Sequence, residues 1–163
     1  MKKPDPWGNY HTHRHWMKEA LKLAEIAANL GDVPVGAVII NRQGNILAEG
    51  YNSKEVNHDP TGHAEIIAIR QASQTLKSWH LEECTLYVTL EPCIMCAGAI
   101  IQSRLGLLVY GVDDLKSGSI RTALNLPDSV ASNHHLSVLS GILEAECRQQ
   151  LKKWFINKRQ QKN

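Results

Sequence analysis

The chain has 163 residues, of which 43% are hydrophobic and 21% charged, with four cysteines and a formal net charge of +2. This length is typical of one domain with a sizeable core, so we predict a single domain over residues 1–163. No apolar stretch approaches the length of a membrane span, and the first residues lack the apolar run of a signal peptide, so we expect a cytoplasmic protein without membrane contact.

The charge is unevenly distributed along the chain. From Cys147 onward there are six Lys or Arg and no Asp or Glu, whereas acidic residues predominate in the preceding part. A net charge of +2 is too small to indicate a nucleic-acid-binding protein. The basic C-terminal end, including the tail over residues 158–163, is nevertheless suited to contact with phosphate, although a solvated helix face is the simpler explanation.

The N-terminal part is predicted to contain an arm and a helix. Residues 1–9 are rich in Pro, Gly and polar groups, which favours a flexible arm. Apolar residues then recur at steps of three and four over residues 10–30, which predicts an amphipathic helix. We expect His11, His13 and His15 to be surface side chains, because their alternation would align them in a strand but not in a helix.

The next two elements are predicted to be strands. Residues 35–40 and 46–51 are short apolar runs on either side of a polar turn, which predicts a β-hairpin. Their lack of polar alternation favours a sheet that is covered on both faces. A helix is then predicted over residues 63–77, with Asp59 or Thr61 as its N-cap.

A strand, a helix and a strand follow with short connections, over residues 85–90, 93–103 and 105–110. This order predicts a right-handed parallel crossover. Residues 111–135 show no sustained period, and a loop of this length in a small domain is usually functional.

The last elements are predicted to be a strand over residues 136–139 and a helix capped by Ser140. The helix should bury one apolar stripe, formed by Leu143, Cys147, Leu151 and Trp154. Together the elements predict a mixed sheet with helices on both faces.

Two short motifs carry the chemistry. His63, Cys93 and Cys96 supply one imidazole and two thiolates, which are ligands that zinc prefers, and three protein ligands leave a fourth position open for water. Glu65 is suited to move protons to and from that water. Because Pro92 favours a helix start, we expect both motifs at helix N-termini that face each other across one Zn²⁺ per chain.

A structural zinc site closed by a fourth Cys or His is the main alternative. Cys84 begins the strand that leads to Cys93, and at about 3.3 Å per residue it lies roughly 20 Å from the far end of that strand. Cys147 falls on the predicted apolar stripe. Both thiols are therefore expected to be buried and free of metal, whereas His58 and His80 remain candidate fourth ligands.

Several further segments resemble the bacterial tRNA-specific adenosine deaminases, a branch of the cytidine/deoxycytidylate deaminase superfamily. They are DVPVGAV at 32–38, Asn52, HDPT at 58–61, LYVTLE at 86–91 and MCAGAI at 95–100. The resemblance covers roughly residues 10–157 and implies a three-layer α/β/α, cytidine-deaminase-like fold with a five-stranded mixed sheet. It also implies a homodimer and, as binding partner, the tRNA anticodon arm.

The reaction implied by this resemblance is hydrolytic deamination of adenosine to inosine at the first, or wobble, anticodon position of tRNA. Zinc would lower the pKa of its water from about 15.7 to about 7, and Glu65 would carry protons to the ring nitrogen and the leaving amine. Unstacking the base is cheapest in a single-stranded loop. Six residues match family positions close to the flipped base or the RNA: Asn52, the backbone of Ala64, Val33, Pro34, Leu90 and Asp114.

Two other functions are compatible with the same motifs. One is a deaminase of a free nucleobase such as guanine or cytosine, although cytidine deaminases usually carry Cys in place of His63. Riboflavin-pathway deaminases space their two cysteines more widely than this chain does. The other is a catalytically silent RNA-binding relative, but such relatives often lack the equivalent of Glu65.

Overall fold

The computed structural model describes residues 8–163. These residues form four helices and five strands. In chain order they are α1 (Tyr10–Asn29), β1 (Gly36–Ile40), β2 (Ile46–Tyr51), α2 (Ala64–Leu76), β3 (Thr85–Leu90), α3 (Ile94–Gln102), β4 (Leu107–Val112), β5 (Ser137–Ser140) and α4 (Glu144–Gln160). Of the predicted N-terminal arm, residues 1–7 lie outside the described part, and Asn9 caps α1 by accepting a hydrogen bond from the Thr12 N–H.

The five strands form one mixed sheet in the order β2-β1-β3-β4-β5. The strand β1 is antiparallel to both β2 and β3, so the predicted hairpin is confirmed. The strands β3, β4 and β5 are parallel, as expected for a crossover through α3. The strand β4 begins at Leu107, two residues later than predicted, and extends to Val112.

Apolar side chains on the two faces of the sheet form two separate cores. One core joins α2 and α3 to the sheet through residues such as Ala68, Ile100 and Leu86. The other joins α1 and α4 to the opposite face through residues such as Met17 and Cys147. Helices therefore cover both faces, and the predicted three-layer α/β/α architecture is confirmed.

The buried face of α1 includes a histidine that was expected at the surface. His13 is 6% exposed, and its Nδ1 lies 2.9 Å from the hydroxyl of Tyr87 in β3. The prediction was wrong for this residue because His13 stands four positions before Met17 and therefore shares the helical face that packs on the sheet. His11 and His15 are exposed, as expected.

The predicted helix caps differ from the observed ones. The side chain of Asp59 accepts hydrogen bonds from the N–H and hydroxyl of Thr61, so it closes a turn and does not cap α2. The residue before α2 is His63, which is its N-cap without a side-chain cap bond. Ser140 belongs to β5, and α4 begins after Leu143, whose backbone is left-handed with φ of 52°.

A glycine sets the distance between α2 and the sheet. A Cβ atom on Gly50 of β2 would overlap the carbonyl oxygen of Ala64 and lie 3.1 Å from the nitrogen of Ala68. The helix N-terminus therefore packs directly against the strand backbone, which fixes the position of His63 and Glu65. None of the helices in residues 8–163 is long and apolar enough to cross a bilayer.

Candidate metal centre and active site

The N-termini of α2 and α3 meet on one face of the sheet. His63 immediately precedes α2, Cys93 immediately precedes α3, and Cys96 lies in the first turn of α3. The strand β3 ends three residues before Cys93, so the sheet edge delivers both cysteines to the site. The two motifs are thus brought together as the sequence indicated.

The three side chains have the spacing of zinc ligands. The Nδ1 atom of His63 lies 3.6 Å from Sγ of Cys93 and 3.5 Å from Sγ of Cys96. Zinc bonds of about 2.3 Å to sulfur and about 2.0–2.1 Å to nitrogen, at a tetrahedral angle, would place those atoms about 3.5 Å apart. In the described part of the chain this group has three members, so neither His58 nor His80 supplies a fourth ligand.

The pKa values of the two thiols move in opposite directions because the thiols share a hydrogen bond. The pKa of Cys93 is lowered to about 3 by a hydrogen bond from the Cys96 thiol and a further one from His63. The pKa of Cys96 is raised because its thiol donates to Cys93 and because it is buried. The pKa of His63 is raised mainly by its hydrogen bond with Cys93. A divalent cation would displace the proton shared by these groups and bind two thiolates.

Glu65 lies beside the three ligands but is not one of them. It is in the first turn of α2, is 4% exposed, and contacts the side chain of Cys96. Burial raises the pKa of its carboxyl to about 7. A carboxyl group with a pKa near neutrality can accept and donate a proton at the same pH, which is the property that a general acid–base requires.

A cavity of about 280 Å³ opens above this group and is lined by His63, Glu65 and Cys93. Four of the six predicted substrate-contact residues also line it: Val33, Asn52, Leu90 and Asp114. The other two, Pro34 and Ala64, are buried behind the lining. The N–H of Ala64 donates to Oδ1 of Asn52 at 2.9 Å, so this backbone donor is already engaged within the protein.

Sequence reasoning missed nine residues that line the cavity, among them Asp32, Glu91, Trp154 and Lys158. Asp32 is buried, and its carboxylate accepts the N–H groups of Glu55 and Val56, which shapes the loop after Asn52. Trp154 was assigned to packing because it falls on an apolar stripe. That prediction was wrong for Trp154, which is only half-buried, lies outside both apolar cores and lines the cavity, because α4 borders the site at this position.

A second, wider groove of about 920 Å³ adjoins the first cavity. The two share six lining residues, namely Val33, Leu90, Asp114, Ser117, Trp154 and Lys158. Further basic and aromatic side chains line the wider groove, namely Lys116, Lys152, Phe155, Arg159 and Lys162. Much of the C-terminal basic charge therefore borders a groove that begins beside the metal ligands.

Comparisons with known proteins identify a deaminase family. The MafB19-like deaminase family model matches residues 11–159. The tRNA-specific adenosine deaminase of Haemophilus influenzae is 47% identical, over 90% of this chain and 84% of that protein. A solved structure from a study of A-to-I editing by tRNA:A34 deaminases at the wobble position is 38% identical with a TM-score of 0.81, covering 84% of this chain and 99% of the other.

A guanine deaminase from Bacillus subtilis is also similar in structure. It is 42% identical with a TM-score of 0.59, covering 62% of this chain and 64% of that one. The tRNA:A34 deaminase structure is the better match in TM-score and in coverage, and it has the same five-stranded cytidine-deaminase-like fold. The chain therefore belongs to the MafB19-like deaminase family, among the tRNA-specific adenosine deaminases.

Proposed function

We propose that this chain is a zinc-dependent enzyme that deaminates adenosine to inosine at the wobble position of the tRNA anticodon. The observation that carries the proposal is the convergence of His63, Cys93 and Cys96 beside the buried carboxyl of Glu65 at the floor of a cavity. The names of the relatives support the choice of substrate, since tRNA-specific adenosine deaminases are similar over most of the chain.

His63, Cys93 and Cys96 would hold the zinc ion. When bound, zinc supplies a nucleophile at neutral pH by lowering the pKa of water to about 7. Glu65 would take the proton of that water, pass a proton to the ring nitrogen next to C6, and finally protonate the amine that leaves as ammonia. The balance is one water consumed and one ammonia released for each inosine formed.

Asn52 and the apolar residues Val33 and Leu90 would hold the adenine base in the cavity. The amide nitrogen of Asn52 makes no hydrogen bond in the described part of the chain, so it can donate to a ring nitrogen of the base. Val33 and Leu90 offer partly buried apolar surface for the faces of the base. Asp114, which lines the cavity, and Pro34, which is buried next to Val33 in the sequence, complete the proposed contacts.

The wide groove beside the cavity would bind the rest of the anticodon loop. It combines basic side chains, including Lys152 and Lys158, with the exposed ring of Phe155. Single-stranded nucleic acid is bound by this combination, because cations attract the phosphates and aromatic faces stack on bases. Since tRNA is present in the cytoplasm, we expect the enzyme to act there.

We also expect a homodimer. Exposed apolar surface lies between α2 and α3, where Trp79 is 58% exposed and borders a shallow groove of about 440 Å³ with Ile69 and Ala99. Light scattering coupled to gel filtration should give twice the chain mass of 18.2 kDa. Trp79→Glu should shift the species toward monomer, and a wild-type protein that is monomeric at all concentrations would contradict this expectation.

A deaminase of free guanine is the alternative, since a guanine deaminase shares the fold. Purified protein should be incubated with an anticodon stem-loop bearing a 5′ anticodon adenosine and, separately, with free guanine. Nucleoside chromatography should show inosine from the stem-loop and no xanthine from guanine. Xanthine without inosine would refute the tRNA assignment and support the alternative.

The role of Glu65 can be tested with a matched pair of variants. Glu65→Gln should keep about one zinc per chain and lose turnover by a factor of at least about 100, because the proton carrier is gone. Glu83→Gln, at a carboxyl that is 72% exposed, should retain wild-type turnover. Full activity of Glu65→Gln would refute the proposed mechanism.

A further inference from the structure

The loop that follows β4 forms one wall of the cavity without regular secondary structure. Residues 113–136 contain neither helix nor strand, yet Asp114 and Ser117 line both the metal cavity and the wider groove. A wall built from irregular backbone needs anchors elsewhere to keep one shape.

The main anchor is the buried side chain of Glu91, which is 1% exposed. Its carboxylate accepts the backbone N–H groups of Asp114 at 3.0 Å, Arg121 at 2.9 Å and Thr122 at 3.1 Å, together with the hydroxyl of Thr122. Within residues 8–163 it forms no ion pair, so these four donors replace the water that the charge has lost. One carboxylate thus holds both ends of the segment 114–122.

The packing around this carboxylate leaves no room for adjustment. A Cβ atom on Gly118 would overlap both the Glu91 carboxylate and the carbonyl oxygen of Asp114. The neighbouring Ser119 donates its N–H to the carbonyl oxygen of Pro92 at 2.9 Å, so the loop is also bound to the residue that follows Glu91. Each of these contacts depends on the loop lying in one position.

Glu91 lies between a residue that lines the cavity and a candidate metal ligand. It follows Leu90, which lines the cavity, and it is two residues before the ligand Cys93. The loop wall is therefore attached to the backbone that carries a metal ligand, so that the distance between the wall and the metal is set locally. Asp114 and Ser117 stand where the base cavity meets the groove, which is where the nucleotides next to the target must pass.

We propose that Glu91 is a positioning residue that fixes the 114–122 loop and thereby determines which nucleotides flanking the target adenosine are accepted. This inference rests on the proposed tRNA function. A displacement of about 1 Å in a substrate-positioning wall can change rates by as much as about 100-fold. Since Asp114 and Ser117 also line the groove proposed for the flanking nucleotides, and neither belongs to the metal-binding group, displacement of the loop should change discrimination among neighbouring bases more than it changes zinc binding.

Three variants test the anchor at different severity. Glu91→Gln places an amide NH₂ among four donors, and Thr122→Val removes one hydroxyl bond and leaves the backbone bonds intact. Gly118→Ala is the most severe of the three, because its Cβ displaces both the carboxylate and the backbone of Asp114. Glu83→Gln is the control, because that carboxyl is exposed and outside the loop. Zinc content and thermal unfolding should be measured for each variant. The kcat and KM of each variant should be measured on four stem-loops that differ only in the nucleotide 3′ to the target adenosine.

We expect Glu91→Gln and Gly118→Ala to retain about one zinc per chain and to change the ratio of kcat/KM between the best and worst stem-loop by about tenfold, with a smaller change for Thr122→Val. A uniform loss on all four stem-loops, or unchanged ratios, would overturn the inference. If Glu91→Gln does not fold, Gly118→Ala and Thr122→Val decide by the same criterion. A wild-type protein that forms no inosine from any stem-loop would refute the proposed function and not the anchor.

Discussion

Asn52 combines two roles that substitution can separate. Its Oδ1 atom accepts the N–H of Ala64 in the first turn of α2 at 2.9 Å, whereas its amide nitrogen is available to the cavity. Asn52→Ala removes both functions. Asn52→Asp keeps an oxygen acceptor for the helix and removes only the donor, so the two variants should differ in stability.

The expected loss of stability follows from the hydrogen bond at the N-terminus of α2, and the expected loss of activity follows from the hydrogen bond to the base. Loss of the acceptor should cost about 0.5–2 kcal/mol of folding free energy, which for a domain of this size lowers Tm by roughly 2–4 °C per kcal/mol. The carboxylate of Asn52→Asp keeps the acceptor and interacts favourably with the N-terminus of α2, so its Tm should stay close to wild type. Loss of one hydrogen bond to the base, about 0.5–1.5 kcal/mol, should lower kcat/KM about 2- to 13-fold in both variants.

The assay combines calorimetry of the zinc-loaded proteins with inosine formation on the anticodon stem-loop. The expected pattern is Asn52→Ala reduced in both measurements and Asn52→Asp reduced in activity alone. Wild-type kcat/KM for Asn52→Asp would show that the amide does not bind substrate. Wild-type Tm for Asn52→Ala would show that the bond to Ala64 does not stabilise α2.

Three further experiments test the packing, the metal and the groove. Gly50→Ala should destabilise the fold by about 1–3 kcal/mol and reduce zinc occupancy, because its Cβ overlaps α2. Gly98→Ala is the control: this glycine lies in a helix, its Cβ would meet no neighbouring atom, and the substitution should stabilise the fold by about 0.5–1 kcal/mol. Equal Tm values for the two variants in thermal denaturation would refute the close approach of α2 to Gly50. Cys93→Ala should lose zinc in elemental analysis while Cys84→Ala keeps it, and zinc retention by Cys93→Ala would refute the ligand set. Lys158→Ala should weaken stem-loop binding and reduce the slope of log affinity against log salt by about 0.7, and an unchanged slope would show that Lys158 does not contact phosphate.

Local patterns were sufficient to predict the order of the elements and the three residues that come together as a candidate metal site. Strands such as β1 and β4 are continuous apolar runs because helices cover both faces of the sheet. The candidate ligands were found because proline and cysteine spacing mark a helix start, and the structure places both motifs at such starts. These signals lie within a few residues of each other in the sequence.

The features that were missed depend on residues far apart in the chain. His13 meets Tyr87 across 74 positions, and Glu91 reaches Thr122 across 31 positions. No periodicity relates such partners, because each contact is created by the packing of α1 on the sheet or by the path of the loop. The contact of Asn52 with Ala64 replaced the predicted cap for the same reason, since a side chain from the preceding loop satisfies the helix terminus.

The donation of ligands by the starts of two different helices also has a consequence for folding. Bound zinc would link α2 to α3 across about 30 residues of chain, so zinc binding would increase the free energy of unfolding of the native state. At a free zinc concentration about 1,000 times the Kd, this gain is about 4.1 kcal/mol, a large part of the stability of an ordinary domain. We therefore expect cells starved of zinc to accumulate a form that opens more often and is degraded faster by proteases, so that metal supply controls the abundance of the enzyme as well as its activity.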